Sequence, residues 1–130
     1  MLTYPTDSIL WSVLHFQSDV DFDQNAWNSY IRVNEIFAES IASEAKGGSL
    51  IWVHDYHLML LPRLLQARLS EQGKRCAIGF TLHTPFPIED FWKAIPVKKE
   101  LLEGILASDV VGFHTDEYKR NFTKSCASIL

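Results

Sequence analysis

Along the chain, the spacing of apolar positions changes several times, and each change predicts an element. Asp19 to Asp23 is an acidic stretch suited to a helix start, where carboxylates oppose the positive end of the helix dipole. After it, Trp27, Tyr30, Ile31, Phe37, Ala38 and Ile41 recur at helical spacing as far as Ala45. Gly47-Gly48 then predict the helix stop. This glycine pair follows a helix and precedes a strand. A phosphate cradle requires the reverse order, which excludes that role.

Three segments then repeat one design. Ser49 to Val53 is a short apolar strand ending at His54, Cys76 to Leu82 is another ending at His83, and Val110 to Phe113 is a third ending at His114. Their nearly continuous apolar character predicts strands covered on both faces. Each leads into a helical stripe: Leu58, Leu61, Leu65 and Leu69; then Leu101, Leu102, Ile105 and Leu106; then Tyr118, Phe122 and Ile129. Thr115 is suited to cap the last helix, with Asp116 and Glu117 in its first turn. Strand–helix alternation of this kind predicts an α/β fold: right-handed βαβ units around a parallel sheet.

Composition narrows the class. A chain of 130 residues, 47% hydrophobic and 22% charged, has the make-up of a globular domain with one modest core. The net charge of −4 and pI of 5.7, with no basic cluster larger than Lys98-Lys99 or Lys119-Arg120, exclude a nucleic-acid surface. Cys76 and Cys126 lie far apart without a CxxC pattern, as free thiols in a reducing compartment would. No apolar run reaches the roughly 18 residues of a membrane span, and the N-terminus lacks a basic-then-apolar signal region. The expectation is a cytoplasmic chain that binds neither membrane nor nucleic acid.

Polar residues at the strand ends carry the chemistry. In a parallel sheet, ligands bind outside the carboxyl ends of the strands, where helix N-termini also favour anions such as sugar phosphates. His54, His83 and His114 each end a strand, and Asp55, Tyr56 and His57 extend the first of these ends. A catalytic site, a metal site and a purely structural turn all share this pattern. Zinc needs about three converging ligands, and His54-x-x-His57 is not the helical HExxH arrangement. The loop "LHTPFP", Leu82 to Pro87, places two prolines two residues apart. It predicts a stiff, extended segment that either orients His83 or serves only as a rigid crossover.

Taken together, "IWVHDYHLMLLP", "LHTPFP" and "GFHTDEYKRNF" resemble, in order and spacing, the trehalose-6-phosphate synthases of glycosyltransferase family 20. Upstream, "LWSVLHF" and "FDQNAWNSYIRVN" extend the resemblance from about Ser8 to Leu130. These are retaining glycosyltransferases that move glucose from UDP-glucose to glucose 6-phosphate. The resemblance implies two facing Rossmann-like domains, the GT-B arrangement, with this chain an interior part of the N-terminal, acceptor-side half and the nucleotide-sugar-binding domain absent. By the same resemblance, Asp55 is the carboxylate that binds glucose 6-phosphate hydroxyls, and His83 is the histidine at the reaction centre. Trp11 is the tryptophan that lines the acceptor pocket. No metal or cofactor is implied, UDP-glucose being a donor substrate, and the reaction stays on one face of the sugar.

Departures from the family pattern keep a second reading open. Ser12, Leu14 and Phe16 replace the usual proline and aromatic pair of the first motif, and Lys98 stands where an arginine is usual. The acceptor tyrosine would fall near Leu2, with Tyr4 the nearest candidate. These changes suit a non-catalytic regulatory or phosphatase-type relative, with assembly into an oligomer or synthase complex. A small metal-dependent hydrolase using His54, Asp55 and His57 is the reading from a different class. The family's glycine-rich donor loop and diphosphate-gripping Arg/Lys pair lie outside these residues, so the 130-residue chain is expected to be inactive alone. Strands that precede this stretch in the family would, by their absence, leave an edge and apolar faces open.

Overall fold

The structure, a computed structural model, describes residues 22–130. Helix α1 spans Gln24–Glu44, strand β1 Leu50–His54, and a short 3-10 turn Tyr56–Leu58. Then follow α2 (Leu61–Glu71), β2 (Ala77–Leu82), α3 (Glu89–Lys93), α4 (Lys98–Leu106), β3 (Val110–Phe113) and α5 (Asp116–Ile129). The expected alternation is present, with strand ends within a residue of those read from the sequence. Helix α3 and the 3-10 turn are absent from the sequence pattern, because neither is long enough to show a period.

Local chemistry accounts for the helix ends. The Asp23 carboxylate accepts hydrogen bonds from the Asn25 and Ala26 N–H groups at 2.9 and 3.2 Å, a cap that contributes about 1 kcal/mol. Thr115 caps α5 as expected, its hydroxyl accepting from the Tyr118 N–H at 3.1 Å. The glycine stop needs correction. Helix α1 already ends at Glu44, and its C-cap Ala45 is extended at φ −66°, ψ 141°. Gly48, at φ 87°, instead makes the turn into β1, where its N–H donates to the Arg75 carbonyl at 2.8 Å.

The three strands are parallel in the order β1-β2-β3. Val53 pairs with Phe80, and Phe80 with Val111, so these residues share one face; Trp52, Gly79 and Val110 share the other. Among the described residues only the first face is covered. It meets Leu61, Leu65 and Leu69 of α2, Leu101, Leu102 and Ile105 of α4, and Trp92 of α3, all buried in one core. On the second face Leu50, Trp52 and Val110 are 74%, 62% and 69% exposed. The expectation of strands covered on both faces therefore fails for the described residues. Parallel strands laid side by side in chain order, joined by crossovers of one hand, carry every helix to the same side.

Helix α1 presents Trp27, Tyr30, Asn34, Ala38 and Ala42 to the core, while Phe37, expected inside, is 44% exposed. Leu106 likewise turns outward from α4. Helix α4 approaches the chain between the 3-10 turn and α2 closely enough that a Cβ on Gly104 would collide with the Met59 carbonyl oxygen and lie 3.0 Å from Leu60 Cα. Glycine there sets the depth at which the turn after β1 sits against the core. Among the described residues no helix is long and apolar enough to cross a membrane.

Candidate functional site

The site is built where β1 ends. The Asp55 N–H donates to the Thr81 carbonyl at 2.8 Å, extending the β1–β2 ladder by one residue. The chain then leaves the sheet through Asp55 itself, at φ 71° and ψ 174°. That backbone conformation is close to glycine-only and costs about 1–3 kcal/mol in any other residue. The geometry brings one carboxylate oxygen of Asp55, Oδ1, onto two backbone N–H groups, that of Tyr56 at 3.0 Å and that of His83 at 3.4 Å. The carboxylate is thereby held at the junction of β1 and β2, with Oδ2 outside these two contacts.

Helix α1 fixes the turn from below. The buried Tyr30 hydroxyl donates to the Tyr56 carbonyl at 2.7 Å and accepts from the Met59 N–H at 3.0 Å. Fully buried Asn34 donates through Nδ2 to the His57 carbonyl at 3.1 Å and to the Tyr30 carbonyl at 2.9 Å. Three backbone groups of a non-repetitive turn are thus satisfied by two side chains one helical turn apart, as buried polar backbone requires. The sequence pattern marks Tyr30 only as an apolar position of the helix and does not mark Asn34. A polar Asn34 on the inner line of an amphipathic helix was the available signal.

The loop after β2 is anchored more by an aromatic plug than by its prolines. Phe86 is fully buried, stacks on Trp92 with ring centroids 4.8 Å apart, and meets Phe113 and Phe122 edge-on at 5.9 and 5.4 Å. Asn121 of α5 donates to the Phe86 carbonyl at 2.9 Å. The loop is therefore pinned three residues past His83, which limits how far that histidine can stray.

At the strand ends the three histidines form one row. His54 Nδ1 lies 3.0 Å from His83 Nε2, and His83 Nδ1 lies 2.9 Å from His114 Nε2. The rings of His54 and His83 are nearly parallel, and that of His114 stands edge-on to His83 at 85°. Trp52 packs against His54 with centroids 4.4 Å apart, and its indole N–H donates to Thr81 Oγ1 at 2.8 Å. Glycines make room on this face: Gly79 lies under the Trp52 ring, and Gly112 lies beside the Thr81 side chain. A depression of about 370 Å³, lined by Val111, Phe113, His114, Thr115, Asp116 and Lys119, opens next to the row at the start of α5.

Of the candidate residues read from the sequence, Asp55 and His83 are brought together. His54 and His114 join His83. His57 does not join the row: its exposed ring stacks on Tyr56 at 4.0 Å, and its contribution to the turn is a carbonyl. Trp11 lies outside the described residues, as do Tyr4, Ser12, Leu14 and Phe16. Among the described residues no three His, Cys, Asp or Glu side chains gather as metal ligands would. The row explains this arrangement, because the two contacts of His83 use opposite ring nitrogens and so aim at different points.

Residues 3–130 match the sequence model of glycosyltransferase family 20, nearly the entire chain. The chain belongs to that family. It is 49% identical over 127 residues to the UDP-forming alpha,alpha-trehalose-phosphate synthase 2 of Aspergillus fumigatus, across 96% of this chain and 26% of that protein. Among solved structures it is similar, with a TM-score of 0.87 and 32% identity, to a UDP-forming synthase from Burkholderia xenovorans in complex with glucose 6-phosphate. That match takes in 95% of this chain and 27% of the other. With a TM-score of 0.88 and 34% identity it also matches the N-terminal domain of Candida albicans trehalose-6-phosphate phosphatase, over 100% of this chain and 29% of that one. The chain spans about a quarter of the length of the curated relatives it matches. Its α/β architecture is that of part of the GT-B fold these synthases share.

Proposed function

We propose that these residues form the acceptor-side segment of a UDP-forming trehalose-phosphate synthase, which transfers glucose from UDP-glucose to glucose 6-phosphate. The observation that carries this reading is the Asp55 carboxylate, held by two backbone N–H groups on a strained backbone beside His83. An ionised carboxylate accepts hydrogen bonds only, so a fixed one can take two hydroxyls of a sugar. An imidazole N–H at His83 can donate to an oxygen on the donor side that gains negative charge as the bond between glucose and the UDP phosphate breaks. Trp11 would wall the acceptor pocket. No metal and no cofactor enter this reading. The chain would work in the cytoplasm.

The test uses the full-length enzyme that carries these residues. UDP release from UDP-glucose and glucose 6-phosphate is measured for wild type, Asp55→Ala and Asp55→Asn. Loss of about 100-fold or more in kcat/KM in both variants is expected, since alanine keeps no acceptor and asparagine keeps one oxygen and puts an NH2 donor in place of the other. An active enzyme indifferent to either change would overturn the assignment. The 130-residue chain alone is expected to show no turnover, because catalysis needs donor and acceptor held together.

The likeness to the phosphatase N-terminal domain favours a second reading, a catalytically silent relative that keeps the fold. Ser12, Leu14, Phe16 and Lys98 are the departures that suit it, and such a subunit would act within an oligomer or synthase complex. A full-length protein that binds glucose 6-phosphate but releases no UDP would decide for it.

A further inference from the structure

We propose that His54 and His114 are positioning residues for His83, holding its ring plane and tying its tautomer to theirs through a hydrogen-bonded row of three imidazoles. The inference rests on the reading of His83 given above, but its geometry stands apart from that reading. Each strand of the sheet contributes one ring, and both ring nitrogens of His83 are engaged, at 3.0 and 2.9 Å. In the parallel register His54 pairs with Thr81, two residues before His83, and Leu82 pairs with Phe113, directly before His83 and His114, so alternation puts the three histidines on one face of the sheet at its carboxyl end.

Proton counting gives the row its consequence. A neutral imidazole has one N–H donor and one acceptor nitrogen. If His54 donates from Nδ1, His83 must accept at Nε2, carry its proton on Nδ1 and donate to His114 Nε2. In the reverse arrangement, His114 donates from Nε2, and His83 carries its proton on Nε2 and donates to His54 Nδ1. No other arrangement of three neutral rings keeps both hydrogen bonds. The tautomer of His83 is therefore tied to that of its neighbours, where a solvated histidine samples both.

The two ends of the row are not equivalent. His54 is backed on one side by Trp52, which is itself tied to Thr81. His114 borders the open depression at the start of α5. A sugar oxygen that engages His83 has to replace one of its two partners, and His114 is the one with space to yield. His54 then keeps the ring oriented and dictates whether the freed nitrogen donates or accepts.

The primary experiment reads the ring nitrogens directly. In the chain labelled with ¹⁵N-histidine, long-range ¹H–¹⁵N correlation spectra at a pH where the rings are neutral should show His54, His83 and His114 sharing one tautomer population, since each of the two arrangements puts the proton on the same nitrogen in all three rings. His54→Leu should move both His83 nitrogen shifts away from their wild-type values, and His114→Leu should do so more weakly. His54→Asn and His114→Gln, which put an amide near the lost nitrogen, should return them towards wild type. Should a leucine perturb folding, alanine at the same position serves as the loss variant, both sites being exposed. Unequal tautomer populations among the three rings of the wild-type chain, or His83 shifts unmoved by the loss variants, would overturn the proposal.

The functional arm measures the full-length enzyme. His54→Leu should lower kcat by about tenfold while KM for glucose 6-phosphate changes less than about twofold, with recovery in His54→Asn. A shared tautomer population that depends on His54, together with an unchanged kcat in His83→Ala, would leave the row standing and sink the catalytic reading of His83. Unequal populations in an enzyme that His83→Ala inactivates would do the opposite.

Discussion

Asp55 offers a direct test of whether strain is stored at the site. Asp55→Ala and Asp55→Gly remove the same carboxylate and the same two contacts, with the Tyr56 and His83 N–H groups. They differ in what the backbone tolerates at φ 71°, ψ 174°. Alanine keeps the roughly 1–3 kcal/mol cost of that conformation. Glycine removes it but loses about 0.5–1 kcal/mol through the greater freedom of the unfolded chain. Asp55→Gly should therefore exceed Asp55→Ala in stability by roughly 1–2 kcal/mol. Losing the carboxylate contacts costs both variants about 1–2 kcal/mol, the His83 contact being long. That loss nearly cancels the relief in glycine, so Asp55→Gly should sit near wild type. Urea unfolding followed by far-UV circular dichroism gives the comparison, read at unchanged m-value. The thermal midpoints should differ by roughly 4–8 °C. If alanine matches or exceeds glycine, the backbone at Asp55 is not in the left-handed half of the map, and the argument for strain collapses. A protein about as stable as wild type and without activity in the Asp55→Gly variant would show that the strain serves the carboxylate.

Tyr30→Phe removes one hydroxyl but strands two buried backbone groups, the Tyr56 carbonyl and the Met59 N–H. A loss of roughly 2–4 kcal/mol in urea unfolding is expected, and a change below about 0.5 kcal/mol would mean that the turn does not depend on α1. Cys126 should alkylate slowly. Burial pushes its thiol from 9.0 up to about 11, which lowers the thiolate fraction near pH 8 by about 100-fold. Mass-resolved iodoacetamide labelling should place its rate well below that of a free thiol, and labelling at the free-thiol rate would refute this. The sign for stability follows from the same shift: between pH 9 and about 11 the unfolded chain releases this proton first, so stability falls as pH rises through that window.

Much of the plan is legible in the residues. Three apolar runs, each closed by a histidine and followed by a helical stripe, specify parallel strands and place polar groups on one rim of the sheet. Asp23 and Thr115 cap their helices by chemistry confined to three residues. The HDYH, LHTPFP and GFHT stretches point to the family by themselves, because long motifs in a fixed order carry information that composition and period do not. These features depend on neighbours close in the chain, and so can be read along it.

Other features depend on residues far apart in sequence, and the packed fold alone sets them. Phe37 lies in the apolar stripe of α1 yet faces out, because the covered side is set by where α2 sits. Among the described residues the apolar strands are covered on one face alone, since strand order, not strand composition, determines where the helices fall. The positive φ of Asp55 could not be read from an aspartate. It arises because the β1–β2 ladder, the Tyr30 and Asn34 contacts and the close pass of Gly104 together leave the turn a single path. The contacts among His54, His83 and His114 span 29 and 31 residues. Their residue types and strand-end positions are visible in the sequence, but their ring-to-ring contact is set by the sheet, because only strand register fixes how far apart three strand ends lie.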